Sequence, residues 1–551
     1  MESALAAPGV PATIAPPDPR GASDMISRFV IPCSLLALAL STWSCALDEQ
    51  KADFTFLNAE PESIDPGRVT GQPGGRIALS LFEGLCFRHP QTLAPVPGMA
   101  ERWEKSDDGL VYTFHLREAS WSDGVAFSSE DFRWSWTRLL DPETGAKYAN
   151  FLYPVRGARA FHQGENTDPS SLGLSCPDAR TFVVELENPV AYFLDLCSFY
   201  PLAPVPRRTL EAHGDAWTRP ENIVGNGAFV LESWQINRRL RLRKNSKYWD
   251  AARVQLEVVD ALPGDYINGN FNRYMSGVVD WIDADGVPLG IVDALAERDD
   301  FHVAPYLNTY FYRFNVEHPP LDDARVRRAL YHAVDPVAIC EHVTRGGQRP
   351  ATSLVPPGIP GYASVELGGF QPELARALLA EAGYPRGRGF PVISLLFNTS
   401  DSHKQVAEVL QQQWKDVLGV QIGLENQEWK VFMVSTQRRE YDIARGGWIG
   451  DYLDPNTFLD LWTSSNANNR TGFSSPAYDA LIAEAARVVD GARRMELLRR
   501  CESIITQEEC IILPIYFYVV TNMYDGGRWG GLEPNLINSI DLKSIYRRGE
   551  S

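Results

Sequence analysis

Basic residues are the minority in this 551-residue chain, where 52 Lys and Arg stand against 70 Asp and Glu and the net charge is −18. So acidic a chain offers no basic footprint for nucleic acid or for an anionic membrane surface. Its eight cysteines include no Cys-x-x-Cys pair and no His/Cys spacing suited to zinc. The serine-hydrolase elbow Gly-x-Ser-x-Gly, the zinc-protease His-Glu-x-x-His and the phosphate-loop Gly-x-x-x-x-Gly-Lys are all missing. Asp283-Ala284-Asp285-Gly286 lacks the glutamate that a calcium loop requires and reads as a turn. No apolar run reaches the roughly 20 residues of a membrane-spanning helix. Carboxylate pairs for acid/base work remain open in a chain with 70 acids, but none stands out.

What is present is an ordinary globular composition, 44% hydrophobic and 22% charged, long enough for about three or four domains. The 38 prolines, with 14 Trp, 21 Tyr and 25 Phe, point to a loop-rich protein with aromatic-lined surfaces. Residues 28–44 read as an export signal: Arg28, an apolar core from Phe29 to Leu40, then small residues at Ser41, Thr42 and Ser44. The Pro- and Ala-rich residues before Met25 fit neither core nor signal, so Met25 is expected to be the true start. Cys45 stands where a lipoprotein signal would place its lipid-bearing cysteine, with ordinary cleavage nearby as the alternative. Export permits disulfides among Cys86, Cys176, Cys197, Cys340, Cys501 and Cys510, and spacing does not choose between pairings.

Alternation in Tyr112–Leu116 and Thr181–Leu186 predicts strands. Ser128 or Ser129 can cap a helix carrying Phe132, Trp136, Leu139 and Leu140. A helix opens at Asp322-Asp323, and another has Pro372 in its first turn and Gly383 past its end. Then comes a β-α-β unit, with a strand over Val392–Phe397, a helix over Ser402–Leu418 and a strand over Val420–Leu424. Such a crossover implies parallel strands. A helix over Trp429–Arg438 leads to a strand expected at Tyr441–Gly446.

Ligands of open α/β sheets collect beyond the carboxyl ends of strands. Two segments fall there, 398–403 with His403 and 445–451 with Arg445 and Asp451. The first turn of the helix, reinforced by a protonated His403, would favour an anion. Arg445, expected at its strand's end, could hold a carboxylate in two-pronged fashion. Asp451, if buried, would need a cation or several hydrogen-bond donors. An acid and two bases in one region suit a zwitterion such as a peptide, although Arg445 and Asp451 could equally pair with each other.

The chain resembles the oligopeptide-binding proteins of ABC importers, solute-binding protein family 5, from about Phe54 to Arg547. An ordered series of segments carries the likeness: Glu60-Pro61-Glu62-Ser63-Ile64-Asp65-Pro66, Leu81–Leu85, Pro97–Trp103, Trp121-Ser122-Asp123-Gly124, Gly225–Phe229, Lys244–Trp249, Pro319–Arg327 and Asn426–Lys430. The resemblance implies an α/β, two-lobed fold of the periplasmic-binding-protein type II-like kind, with an extra domain and the ligand enclosed between lobes. By that likeness residues 1–45 are extension and signal, 46–76 with 207–308 and 520–551 form the hinge lobe, 77–206 the extra domain, and 309–519 the second lobe. It implies a monomeric, non-enzymatic, cofactor-free protein exported to the periplasm, lipid-anchored if Cys45 is modified. Short peptides would be its ligands, and a membrane permease with separate ATPases its partners. Another amine-bearing solute as cargo, or a role as a peptide-sensing surface receptor, are the alternatives.

The same resemblance makes Asp451 the residue that pairs with the ligand's α-amino group, and Arg445 and His403 those that serve its carboxylate. Trp429 lines a side-chain pocket, and Gly447, Tyr148, Tyr518 and Glu60 are further cleft residues. Three departures from the family pattern are visible. Thr344, next to Arg345, replaces a lysine, Arg313 replaces an acid, and Asn308 and Ile449 occupy the positions of a disulfide found in some members.

Overall fold

The computed structural model describes residues 50–264, 266–283 and 287–549. The export signal, Met25 and Cys45 lie outside the described residues, as do residues 284–286 of the expected turn; Asp283 accepts a 2.9 Å hydrogen bond from Arg76 Nη2.

One 11-stranded sheet organises the described residues from Ala52 onward. Its strands are β1 (Phe54–Leu57), β2 (Phe229–Gln235), β3 (Arg239–Lys244), β4 (Val258–Leu262), β5 (Trp281–Ile282), β6 (Phe301–Phe314), β7 (Arg349–Pro350), β8 (Ile393–Asn398), β9 (Ile422–Gln427), β10 (Ile443–Ile449) and β11 (Ile512–Tyr524). Their order is β9-β8-β10-β6-β11-β5-β1-β4-β3-β2, with β7 added on β11. The expected β-α-β unit is present: β8 and β9 are parallel, Ile393 opposite Ile422. The helix between them, Asp401–Leu418, buries Val406, Leu410 and Trp414 and ends at Gly419, whose φ of 74° needs no side chain. Trp414 Nε1 donates to Leu330 O at 2.8 Å, which ties this helix to the helix Ala324–His332.

Two long antiparallel strands, β6 and β11, occupy the middle of the sheet. The first part of β6, Phe301–Pro305, pairs with Val519–Met523 near β5; the second, from Thr309, pairs with residues up to Phe517 and with β10. The register slips between Pro305 and Thr309, so each strand serves two halves of the sheet through an irregular middle.

A separate four-stranded antiparallel sheet is built from Ala100–Lys105, Val111–Leu116, Thr181–Glu185 and Leu174–Asp178, in that order. The helix Ser129–Leu140 packs on it through Phe132 and Trp136 against Phe182. Ser128 is its N-cap, and its backbone N–H donates to Asp131 at 2.7 Å.

One boundary differs from expectation in a way that matters. The strand expected over Tyr441–Gly446 instead runs Ile443–Ile449, so Arg445 is its third residue and not its end. The antiparallel ladder to β6 extends as far as Ile449 opposite Asn308 and carries two glycines that local propensity disfavours in strands. The six cysteines of the described residues are free.

Candidate functional site

On one side β10 is fully paired to β6, with Arg445 opposite Tyr312, Gly447 opposite Tyr310 and Trp448 opposite Thr309. On the other, β8 pairs with it only at Ile443 and Ala444. From Arg445 to Ile449 that edge has no strand partner among the described residues, so its backbone groups can accept an added strand.

Arg445 points to the sheet face that carries Tyr310 and Tyr312. Its Nη2 donates to Tyr518 Oη at 3.1 Å, and its guanidinium lies 4.9 Å from the centre of the Tyr310 ring. Its Nε is buried without a partner, and no carboxylate among the described residues pairs with it. The alternative in which Arg445 and Asp451 neutralise each other is therefore not what the fold builds. A buried cation with only phenols around it is poorly compensated and favours an incoming anion.

His403 is the third residue of the Asp401–Leu418 helix, and its Nδ1 lies 3.4 Å from Tyr310 Oη. Burial, followed by the positive charge of Arg445, pushes its imidazole down to about 4. It is neutral at pH 7, which corrects the expectation of a protonated His403; beside a resident guanidinium a second positive charge is repelled. No side chain caps the N-terminus of that helix, so its first N–H groups remain available for an anion.

Asp451 follows the strand by two residues. Gly450 N–H donates to Leu307 O at 2.8 Å and Asp451 N–H to Thr457 Oγ1 at 3.2 Å, which holds the backbone. Its carboxylate has no hydrogen bond or ion pair among the described residues. By area Asp451 is exposed, yet the walls around it remove enough hydration to push its carboxyl up to about 6, with Arg88 opposing.

The loop after Asp451 is pinned from two directions. Tyr452 stacks on Tyr192 with ring centres 4.2 Å apart, and Asp454 is gripped by Arg494 through two hydrogen bonds of 2.6 and 2.9 Å. Arg88 Nη2 reaches Asp451 O at 3.5 Å. Asp460, pushed up to about 7 by burial and by Asp451 and Asp454, and Asp195, pushed up to about 6 by burial, complete an acid-rich wall. Arg88, Asp195, Tyr192 and Asp460 were not singled out from the sequence. Arg88, Tyr192 and Asp195 come from distant segments, and none of the four sits in a local pattern that would have marked it.

The remaining expected residues divide. Tyr148 lies against Phe151 and Phe199, close enough to Asp451 for that charge to help raise its phenol. Trp429 opens the helix Trp429–Gln437, half exposed, stacks on Phe432, and shares a cavity with Arg445 and Gly447. Tyr518 touches Arg445 directly. Glu60 is engaged elsewhere: it accepts from Trp234 Nε1 at 2.7 Å and from Asn237 N–H at 3.0 Å, at the β2–β3 hairpin.

Residues 94–470 match the model of the bacterial extracellular solute-binding proteins, family 5 Middle. The chain is 38% identical to the periplasmic oligopeptide-binding protein OppA of Salmonella typhimurium over 95% of this chain and 98% of that protein. Among solved structures, it is 32% identical to Haemophilus influenzae OppA in complex with the peptide RPPGFSPFR, with a TM-score of 0.72 over 90% of this chain and 100% of that one. With an unliganded open form of the periplasmic murein tripeptide-binding protein MppA the TM-score is 0.79, at 33% identity over 90% of this chain and 96% of that one.

Proposed function

Because the chain belongs to family 5 of the bacterial extracellular solute-binding proteins, we propose that it is the substrate-binding component of an ABC peptide importer, capturing short peptides outside the cytoplasm and delivering them to a membrane permease. One observation carries this reading: the unpaired strand edge of β10 contains Arg445 and runs toward Asp451, and neither makes an ion pair among the described residues. A peptide offers a backbone for such an edge, an ammonium for the acid and a carboxylate for the base. Backbone pairing gives affinity without choosing side chains, and aromatic walls with water accommodate them. In this reading Asp451 takes the amino end. The carboxyl end goes to Arg445 or to the helix start at His403, which acts as a neutral hydrogen-bonding group.

In this reading Tyr192 and Arg88 belong to one side of the cleft and Tyr452 and Asp451 to the other; the Tyr192–Tyr452 stack and the Arg88–Asp451 contact join them, so a bound peptide favours the closed arrangement. The register slip in β6 between Pro305 and Thr309 is the place where the central strands can absorb that motion.

Calorimetric titration of refolded, ligand-stripped protein with one tripeptide, free and N-acetylated, tests the reading. The free form is expected to bind and the acetylated form to lose most of its affinity. Equal binding of both removes the amine anchor, and binding of neither by folded protein removes the peptide.

The raised carboxyl of Asp451 gives a pH dependence with a definite sign. The ligand's ammonium needs the ionised carboxylate, and protonation near pH 6 removes it. Affinity is therefore expected to fall about tenfold between pH 7 and pH 5. Asp460 and Asp195 titrate in the same range. The Asp451 share is the part of the pH dependence that disappears in Asp451→Asn, read by the same titration at both pH values.

A further inference from the structure

Gly446 and Gly447 stand in the middle of β10 with a guanidinium on either face. A Cβ on Gly447 would lie 3.8 Å from Arg445 Nη2, and one on Gly446 only 2.7 Å from Arg313 Nη2. Arg313 comes from β6, where it faces Ala444 across the ladder, and its guanidinium lies 5.6 Å from the centre of the Phe311 ring. A third cation, Arg470, arrives from the loop after Trp462; its Nη1 donates to Thr436 Oγ1 at 2.9 Å and approaches Met433 Sδ at 3.5 Å.

The three arginines line one cavity of about 270 Å³, whose mouth carries the half-exposed Trp429 and whose walls include Trp448 and Trp462. In a chain with 18 more acids than bases, none of these three pairs with a carboxylate among the described residues. The Nε atoms of both Arg313 and Arg445 are buried without a partner. Burial pushes Arg313 down to about 10, with the Tyr441 phenol opposing and the charges of Arg470 and Arg445 adding to the fall. Buried arginine ordinarily meets an acid, as Arg494 meets Asp454 in this same half of the molecule. Here the compensating group is left to come from outside.

We propose that this cavity is a side-chain subsite that selects an acidic residue of the bound peptide, with Arg313 and Arg470 as its specificity-determining groups. The proposal rests on the peptide reading above. A peptide paired to the β10 edge directs alternate side chains to opposite faces of the sheet. A side chain on the Gly446 face is directed toward the cavity lined by Trp429 and Arg313, and the absence of a Cβ at Gly446 is what lets Phe311 and the Arg313 guanidinium pack against the strand there. A Glu or Asp carboxylate there receives charge-assisted hydrogen bonds from guanidinium groups that have no other anion. A lysine at the same position meets the like charges of Arg313 and Arg470 and is rejected.

The test titrates the ligand-stripped full chain with tetra-alanine carrying Glu, Gln or Lys at its second or third residue. At one of these positions the Glu peptide is expected to bind at least about tenfold tighter than the Gln peptide, and the Lys peptide at least about tenfold weaker. In Arg313→Met and in Arg470→Met the Glu-to-Gln ratio should shrink to about threefold or less. The ratio within one variant cancels general damage to the fold, and two separate variants guard against one that fails to fold. Glu and Gln peptides binding equally at both positions, or a ratio that survives both substitutions, overturns the acidic subsite while leaving the peptide reading intact. Binding of no peptide by the folded wild-type chain brings down both.

Discussion

Asp451→Asn is expected to lose about 2–5 kcal/mol of peptide affinity, roughly thirtyfold to a few thousandfold in Kd, when a free-amine tripeptide is titrated. The substitution keeps the shape and removes the charge. In the parent the carboxylate has no partner of its own and is already short of hydration, so a ligand ammonium replaces little and gains a full charge pair. In the variant the ammonium is left in a partly desolvated site with an amide in place of its counter-ion. The companion measurement is the N-acetylated tripeptide, which should bind parent and variant with nearly equal, weak affinity. A variant that binds the free tripeptide as tightly as the parent rejects Asp451 as the anchor.

Arg494→Met is expected to destabilise the fold by about 3–5 kcal/mol, seen as a lower midpoint in urea unfolding. Arg494 and Asp454 are both almost completely buried and joined by two short hydrogen bonds. Removing the cation strands a carboxylate in the interior, within electrostatic reach of Asp460 and Asp195, which are already pushed toward their neutral forms. Because Asp454 lies three residues from Asp451 in the loop that Tyr452 anchors on Tyr192, peptide affinity should fall as well. The double variant Arg494→Met/Asp454→Leu, which removes both charges, should recover most of the stability, since an apolar pair has no unmet charge. An unfolding midpoint unchanged by Arg494→Met would mean the pair contributes nothing.

Much of this site was legible in the residues. The 3.6-residue spacing of Val406, Leu410 and Trp414 between two apolar runs specified the crossover helix, and with it the parallel strands that place His403 beside the strand carrying Arg445. The stretch from Arg445 to Asp451 marked itself by opposite charges around two glycines. The end of the strand was not legible there. Pairing along β6 carries β10 through Gly446 and Gly447 to Ile449, and a glycine pair gives no local signal for that. The charge on His403 was not legible either, because it depends on Arg445, 42 residues away in sequence but adjacent in space.

The amino-acid sequence by itself determined the class of the molecule and the identity of its charged groups. Composition, hydrophobic periodicity and the ordered segments from Glu60 to Lys430 are local properties, readable wherever chain neighbours interact mainly with one another. Which charges are paired was decided only by the tertiary structure. Arg494 and Arg313 look alike in the sequence, yet one meets Asp454 and the other faces Arg445 and Arg470 with no acid partner among the described residues. Pairing depends on distances of a few ångströms between residues far apart in the chain, and the energy of a charge depends on how much water the folded walls remove. Both are set by packing, which is why a free carboxylate at Asp451 and an arginine cluster without an acid partner among the described residues emerge only when the strands are in place.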